Sequence, residues 1–246
     1  MSYLAYLDKE KTNTIKANDA FLCFEKSKRE YFCPNLGCTA KMTLKSHKGE
    51  SSHYFAALPS FPHDTNCPYK TYSFVREDFD ESAFSLDKLF ASISKTPAVK
   101  KKHELEKQDK KQSTNTTLKT IKTIGQLYSM CINLDINDEY NDVRIWKILL
   151  DERSEQIYIK GICDGIRLIK CEFKGYKKEM SLIYLSSCNR FDLRIHISDE
   201  LFPDVRNEMY KSRENKKSLI ILGDWHKNRD YYISEITSKK QYKILG

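Results

Sequence analysis

"FDLRIHIS", residues 191–198, alternates apolar and polar side chains without interruption, and this stretch decides the fold. Successive side chains of an extended chain point to opposite faces, so the apolar residues share one face. They are Phe191, Leu193, Ile195 and Ile197. Such alternation predicts a half-buried β-strand. The same period of two recurs from about residue 157 onward, which predicts a β-rich second half.

The neighbouring segments predict a barrel by their order. The strand candidates are QIYIKGI (156–162), GIRLIKCEFK (165–174), MSLIYLSS (180–187), FDLRIHIS (191–198), KSLIILGDW (217–225), DYYISEI (230–236) and the tail QYKIL (241–245). DELFPDVRNEMYKSR (199–213), with Pro203 near its first turn, is predicted to be a helix. Three strands, a helix and two strands is the connectivity of the OB-fold, a five-stranded Greek-key barrel. We therefore expect an α+β protein that ends in an OB-like β-barrel.

The first 70 residues predict a different, smaller unit. Short β-like runs occur at Tyr3–Leu7, Ala20–Phe24, Ala40–Leu44 and His53–Ala57. So little apolar sequence makes a thin core, which commonly needs a metal or another cross-link. Ser85 is placed to cap a short amphipathic helix in SLDKLFASI (85–93), and Ile124, Leu127 and Cys131 form part of a second helical stripe. VRIWKILL (143–150) fits a helix or a strand equally well.

A lysine-rich segment separates the two parts. Residues 95–122 hold nine lysines against three acidic residues, and they contain too few apolar side chains to form a core. The predicted organisation is a zinc-binding module (1–72), a helical segment (73–94), a Lys-rich linker (95–122) and a helix followed by the OB-like barrel (123–246). The linker carries +6 of the formal charge of +8, so the folded parts are close to neutral.

The eight cysteines are expected to be reduced. The start, MSYLAYLDKEK, lacks the charged head and apolar core of a signal peptide, and no apolar run is long enough to span a membrane. We therefore expect a cytoplasmic protein without a membrane partner, in which clustered cysteines are metal ligands. The remaining cysteines are predicted to be small core residues: Cys23, Cys131, Cys163, Cys171 and Cys188.

Two close pairs of metal-ligand residues lie in the first module. Cys33 and Cys38 flank a Pro-Asn-Leu-Gly turn in YFCPNLGC, and His63 and Cys67 follow at H-x-x-x-C spacing. Zinc favours four thiolate or imidazole ligands in a tetrahedron, so the set predicts a structural Cys₃His zinc site. His53 is an alternative to His63, although it lies too far along the chain from Cys67 to form a local pair. Cys23 is an alternative thiolate.

The same stretch resembles a known family. YLAYLDKEKTNTIKANDA (3–20), YFCPNLGC, AKMTL, HYFAALP and PHDTNCPY look like the N-terminal zinc-binding region of competence protein CoiA-like proteins. The resemblance covers about residues 1–70 and implies a bacterial protein of DNA uptake, mobile elements or phage defence. Where relatives often have His-Phe-x-His, this chain has His53-Tyr54-Phe55-Ala56, which makes His63 the natural substitute.

One group of residues has the composition of a nuclease site. Asp164, Glu172 and Lys174 are the residue types with which restriction-endonuclease-like folds hold a divalent ion and activate water. Their spacing argues against this function. On one continuous strand the two carboxylates would lie about 26 Å apart, at about 3.3 Å per residue. We therefore expect no catalysis by this chain, and a metal-dependent nuclease is the minority alternative.

Binding of single-stranded nucleic acid, most plausibly DNA, is the function that the predicted barrel favours. Exposed strand faces of such barrels combine cations for phosphates with aromatic rings for bases. The candidate contact residues are Lys170, Lys174, Tyr176, Lys177, Lys178, Tyr184, Arg194, His196, Tyr231 and Tyr232. The rival hypothesis is a protein-interaction adaptor of a multi-subunit system. Steep weakening of binding by salt would distinguish nucleic acid from an apolar protein interface.

Overall fold

The architecture was obtained from a computed structural model, which describes residues 2, 4–24, 30–46, 53–65, 67–71, 74, 76–95, 118–158, 164–188 and 190–245. Most of the Lys-rich linker, Cys163 and the end of QIYIKGI lie outside these residues. No helix in this part of the chain is long and apolar enough to cross a membrane.

The N-terminal module is a five-stranded antiparallel sheet with short helices. Its elements are β1 (Leu4–Tyr6), β2 (Thr14–Lys16), α1 (Ala17–Phe24), β3 (Tyr31–Phe32), β4 (Lys41–Ser46), β5 (His53–Ala57) and α2 (Pro68–Thr71). The strand order is β2-β1-β3-β4-β5, and every pair is antiparallel. Four alanines lie fully buried beneath the sheet: Ala5, Ala17, Ala20 and Ala40. The core of this module therefore combines these small side chains with a few large ones, such as Met42 and Phe55.

Two expectations for this module are wrong. The run Ala20–Phe24 is the end of helix α1 rather than a strand. The prediction failed because so short an apolar run fits the helical period of 3.6 residues as well as the strand period of two. Ala17 and Ala20, three residues apart, face the core, whereas Cys23 is exposed. The prediction that Cys23 is a core residue therefore fails.

Helices and short strands connect the module to the barrel. They are α3 (Leu86–Ser94), α4 (Ile124–Asn133), β6 (Glu139–Tyr140), β7 (Val143–Arg144), α5 (Ile145–Ile148) and β8 (Leu149–Leu150). Ser85 caps α3 as predicted, accepting a hydrogen bond from the Lys88 backbone at 3.3 Å. The ambiguous VRIWKILL contains both structures, a helical turn between two short strands. Glu155–Tyr158, at the start of the predicted strand QIYIKGI, form a 3₁₀ turn.

Five strands of the second half close into a barrel. These are β9 (Gly165–Lys177), β10 (Leu182–Ser187), β11 (Phe191–Ile197), β12 (Leu219–Asn228) and β13 (Tyr231–Ile236), with α6 (Phe202–Glu214) between β11 and β12 and an additional strand β14 (Tyr242–Ile244) paired to β12. The predicted order of three strands, helix and two strands is thus confirmed. β11 and β13 are parallel, and the other barrel pairs are antiparallel.

The long strand β9 closes the barrel. Its first half, Gly165–Cys171, pairs with β12, and its second half pairs with β10. A bulge at Lys174 shifts the register, since Gly175 lies opposite Tyr184 while Phe173 lies opposite Leu185. Such bulges bend a strand and increase its twist, which lets one strand serve both ends of a sheet.

Two apolar clusters divide the interior. The barrel encloses one cluster, which includes Ile195, Ile221, Trp225 and Ile236 together with residues of α6. The other cluster runs without interruption from the N-terminal sheet through α3, α4 and α5 to the outer side of β9 and β12. The predicted boundary therefore separates two kinds of secondary-structure pattern along the chain. In the folded protein, however, the module and the barrel share one apolar cluster.

Candidate metal centre

Two tight turns place the four predicted ligands. Cys33 follows β3, and the Cys38 backbone N–H donates to the Asn35 carbonyl at 3.0 Å, which closes the Pro-Asn-Leu-Gly turn. In the second turn the Cys67 N–H donates to the Asp64 carbonyl at 3.0 Å just before α2. Each turn brings two ligand side chains to the same side of the backbone.

The ligand atoms converge on one point. Cys33 Sγ lies 3.6 Å from Cys67 Sγ, and His63 Nδ1 lies 3.5 Å from Cys38 Sγ and 3.4 Å from Cys67 Sγ. All four atoms fall within 4.8 Å of one another. A tetrahedral ion with bonds of about 2.3 Å to sulfur and about 2.0 Å to nitrogen sets its ligands about 3.8 Å (S–S) or about 3.5 Å (S–N) apart. The residues therefore fit a four-coordinate metal ion, and the sulfur separation is too long for a disulfide.

The electrostatics of the thiols also favour a cation. The Cys33 thiol beside Cys67 and, to a smaller extent, His63 lower the pKa of Cys67 to about 4, against the opposing effect of burial. The same contact and burial raise the pKa of Cys33, and burial raises the pKa of Cys38. Without a cation the three thiols cannot all ionise at neutral pH, because each thiolate opposes the next. A dication at their centre removes this penalty.

Further side chains hold the two turns together, and no pattern in the sequence indicated their role. Asp64 accepts hydrogen bonds from both the backbone N–H and the hydroxyl of Thr39, at 3.0 and 3.1 Å, and so joins the second turn to the first. The Lys11 ammonium donates to the carbonyls of Asn35, Leu36 and Cys38. Contacts of this kind fix metal ligands before the ion binds. They join residues far apart in the chain, so spacing alone could not reveal them.

The alternative ligands are placed elsewhere. His53 is buried on β5 and stacks on Phe21, with ring centroids 3.7 Å apart. Cys23 is on the exposed side of α1. Within the described residues, the Cys33, Cys38, His63 and Cys67 cluster is the one group of three or more potential ligands close enough to hold an ion.

The predicted nucleic-acid residues divide among several surfaces. Tyr184, Arg194 and Tyr231 come together on the outer face of β10, β11 and β13, and we refer to them as the Tyr–Arg–Tyr cluster. The Arg194 guanidinium lies 3.5 Å from the ring centre of Tyr231 and 5.4 Å from that of Tyr184. His196 lies two residues further along β11 and is exposed on the same face.

Other predicted contact residues lie outside the Tyr–Arg–Tyr cluster. Tyr176 packs against Phe202 of α6 and beneath the Arg206 guanidinium. Lys170 pairs with Glu152 at 2.8 Å, and Lys174 at the bulge pairs with Glu172 at 3.3 Å. Lys177 and Lys178 are exposed in the turn between β9 and β10.

Tyr232 is the clear error in the predicted set. Its side chain is only 6% exposed and belongs to the cluster inside the barrel. The sequence left open whether Tyr231 or Tyr232 faces outward, because alternation assigns neighbours to opposite faces without saying which face is covered.

The nuclease residues are not brought together. Asp164 directly precedes β9 and accepts a hydrogen bond from the Lys227 backbone at 2.9 Å. Glu172 lies eight residues further along the same continuous strand, about 26 Å away at about 3.3 Å per residue. In the described part of the chain, neither carboxylate belongs to a group that could hold a metal ion.

Comparison of the chain with family models, with curated proteins and with solved structures found no match.

Proposed function

We propose that this protein is a non-catalytic binding protein for single-stranded nucleic acid, most plausibly DNA, whose N-terminal module is stabilised by zinc. The observation that carries the proposal is the Tyr–Arg–Tyr cluster on the outer face of a closed five-stranded barrel. Aromatic rings stack on bases, and an arginine beside them contacts a base or a phosphate. The three side chains are half-buried, so their positions are set by the sheet beneath them.

The barrel's topology supports this choice of face. In OB-folds, oligonucleotides bind across strands 2 and 3 and the loops that join strands 1 to 2 and 4 to 5. Here strands 2 and 3 are β10 and β11, which carry Tyr184 and Arg194 opposite each other. The corresponding loops contain Lys177 and Lys178 at one end of the face and Arg229 at the other. Cations therefore flank the aromatic cluster along the proposed path of the strand.

Zinc is the metal that the donor set favours. Three thiolates and one imidazole are soft ligands at tetrahedral spacing, and they leave no open position for a substrate or a reactive water. A closed site of this kind stabilises structure. In this proposal the zinc ion stabilises the N-terminal module, and the barrel binds the nucleic acid.

The setting of the protein is part of the proposal. The resemblance of residues 1–70 to the CoiA-like region supports a bacterial DNA-uptake, mobile-element or phage-defence system. The Lys-rich segment of residues 95–122, with a net charge of +6, would add affinity for phosphates that does not depend on sequence.

Fluorescence anisotropy of labelled oligonucleotides tests the proposal. Single strands and duplexes of about 12 nucleotides, within the range that one OB-fold covers, are titrated at two salt concentrations with and without Mg²⁺. We expect salt-sensitive binding of the single strand, which remains intact. Replacing Tyr231 or Arg194 with alanine should weaken binding on the order of 10-fold, since stacking of one base contributes about 1–3 kcal/mol.

The matched control is Arg206→Ala. It removes the same charge and another arginine–tyrosine contact, but on α6, away from the proposed face. Equal weakening by Arg194→Ala and Arg206→Ala would mean that only net charge matters. Absence of binding at low salt would refute the proposal and favour the adaptor, and Mg²⁺-dependent cleavage would favour the nuclease.

A further inference from the structure

A groove of about 640 Å³ lies beside the Tyr–Arg–Tyr cluster. One wall is helix α3, and the floor is the outer face of β11, β13 and β12. The side chains that give it chemical character are Phe90, Ser94, His196, Asp224, His226 and Glu235. This volume is within the range of small-ligand sites, about 300–1,000 Å³.

The walls of the groove are tied to each other. The Thr237 hydroxyl donates to the Ser94 carbonyl at 2.7 Å, which fixes the end of α3 against the barrel. The Gln241 amide donates to the Glu235 carbonyl at 3.2 Å. The groove is therefore part of the folded barrel rather than a gap between loosely packed elements.

The groove continues the proposed binding face. His196 and Arg194 lie two residues apart on the same side of β11, about 7 Å along the strand. His196 is the register partner of Glu235 on β13. A bound single strand of nucleic acid that crosses the Tyr–Arg–Tyr cluster would thus reach the neighbouring groove. The Lys-rich sequence begins at Lys95, directly after Ser94 of the groove wall.

Two polar groups of the groove, Asp224 and Glu235, are carboxylates, which when ionised only accept hydrogen bonds. Asp224 pairs with His226 at 3.4 Å, whereas Glu235 forms no ion pair with any residue that the structure describes. The hydroxyl of Ser94, which also lines the groove, is buried and lacks a hydrogen-bond partner among the described atoms. Phe90 and Ile233 add apolar surface. A flat ring that presents an amino group would fit these groups.

We infer that this groove receives one base of the bound strand and selects a base with an exocyclic amino group, such as cytosine, over uracil or thymine. The inference rests on the proposed function and adds base selectivity to it. A carboxylate accepts a hydrogen bond from the N4 amino group of cytosine. Uracil and thymine present a carbonyl oxygen at the same position, which faces the carboxylate unfavourably. Phe90 provides a surface against which the ring can stack.

Competing oligo(dC) against oligo(dU) tests the inference, because these bases are similar in size and dU lacks the methyl group of thymine. We expect the protein to bind oligo(dC) on the order of 10-fold more tightly. Glu235→Gln should reduce this preference to about 2-fold or less, since an amide both donates and accepts. Asp192→Asn is the matched control: it removes an exposed carboxylate of the same outer face outside the groove and should leave the preference unchanged.

The outcomes separate the inference from the proposed function. Equal binding of both oligonucleotides, or an unchanged preference in Glu235→Gln, overturns the inference while nucleic-acid binding stands. If neither oligonucleotide binds, the proposed function fails, and dCMP and dUMP are titrated while the imidazole resonances of His196 and His226 are followed by NMR. Shifts with dCMP alone would support the groove's selectivity by itself, and no shift with either nucleotide would overturn it.

Discussion

The N-terminal module and the barrel are stabilised in different ways. The module buries alanines such as Ala5 and Ala40 beneath a sheet of short strands, and four ligand residues from two turns converge at its edge. The barrel buries large side chains such as Trp225 and Ile195 in a closed interior. Each buried methylene contributes about 0.8 kcal/mol, so a buried alanine of the module contributes less than a buried isoleucine or tryptophan of the barrel.

This difference bears on the proposed zinc ion in the module and on the proposed binding face of the barrel. A thin core requires an additional cross-link, and a metal ion provides one. A closed barrel needs no such ion, so its outer side chains are available for contacts with a partner. The apolar cluster that links the two regions, however, raises the question of whether one can unfold without the other. Four measurements address this comparison.

Loss of the metal should have the largest effect. His63→Ala removes one ligand, and the zinc content should fall from about one ion per chain to near zero. Hydrogen exchange should then accelerate in residues 4–46, while β11 stays protected by the barrel interior. Apparent zinc-binding energies of about 10–16 kcal/mol in small zinc domains explain why the module would unfold.

The control for this variant is His53→Gln, which alters another histidine of the module and should keep the zinc. Elemental analysis distinguishes the two. If the barrel amides lose their protection from hydrogen exchange together with those of the module, the two regions unfold as one cooperative unit. The statement that they are stabilised in different ways would then be refuted.

Trp225→Ala should destabilise the barrel by about 3–5 kcal/mol. The indole is fully buried and donates to the Arg167 carbonyl at 3.1 Å, so the change leaves a cavity and removes this hydrogen bond. Denaturant unfolding measures the effect. Zinc content should be unchanged, and Tyr210→Ala, on an exposed aromatic of α6, should cost less than about 1 kcal/mol.

Helix α4 lies in the cluster shared by both regions, and its cap should have a moderate effect. Thr123 accepts a hydrogen bond from the Gln126 N–H, and Gln126 accepts one from the Thr123 N–H, both at 3.2 Å. Thr123→Ala should lower the free energy of unfolding by about 1 kcal/mol, whereas Thr123→Ser should be close to the parent protein. A larger loss accompanied by loss of zinc would show that α4 couples the regions tightly.

The smallest expected effect concerns pH. Burial alone would raise the pKa of Glu81, but hydrogen bonds from Arg76 and from the Asn141 N–H outweigh it and hold this pKa below its usual value. The ion pair therefore stabilises the folded state above the unfolded-state pKa, and the stabilisation is lost as pH falls through the lowered folded-state pKa.

Glu81→Gln should accordingly show a shallower loss of stability between about pH 5 and pH 3, by less than about 1 kcal/mol because both side chains of the pair remain partly exposed to solvent. Parallel thermal scans of the two proteins would reveal this. Identical pH profiles of the two proteins would mean that the Arg76–Glu81 ion pair contributes nothing measurable to the stability of the folded state.

Local patterns predicted much of this molecule. The alternation in residues 191–198 predicted β11 and its two faces, Ser85 predicted the start of α3, and the two close pairs predicted a ligand set that the geometry brings together. These features depend on residues only a few positions apart, so they can be recognised from the sequence directly. The run Ala20–Phe24 failed by the same reasoning, since five residues are too few to separate a helix from a strand.

Local spacing and periodicity were therefore enough to identify the four potential metal ligands, the order of the barrel elements and which residues share a face. Only the tertiary structure decided which face is covered, and so placed Tyr232 inside the barrel and Tyr231 outside. It also decided that β9 pairs with both β10 and β12, that Asp164 and Glu172 stay apart, and that α3 forms a groove with Glu235. These outcomes depend on contacts between residues distant in the chain, which local spacing and periodicity do not encode.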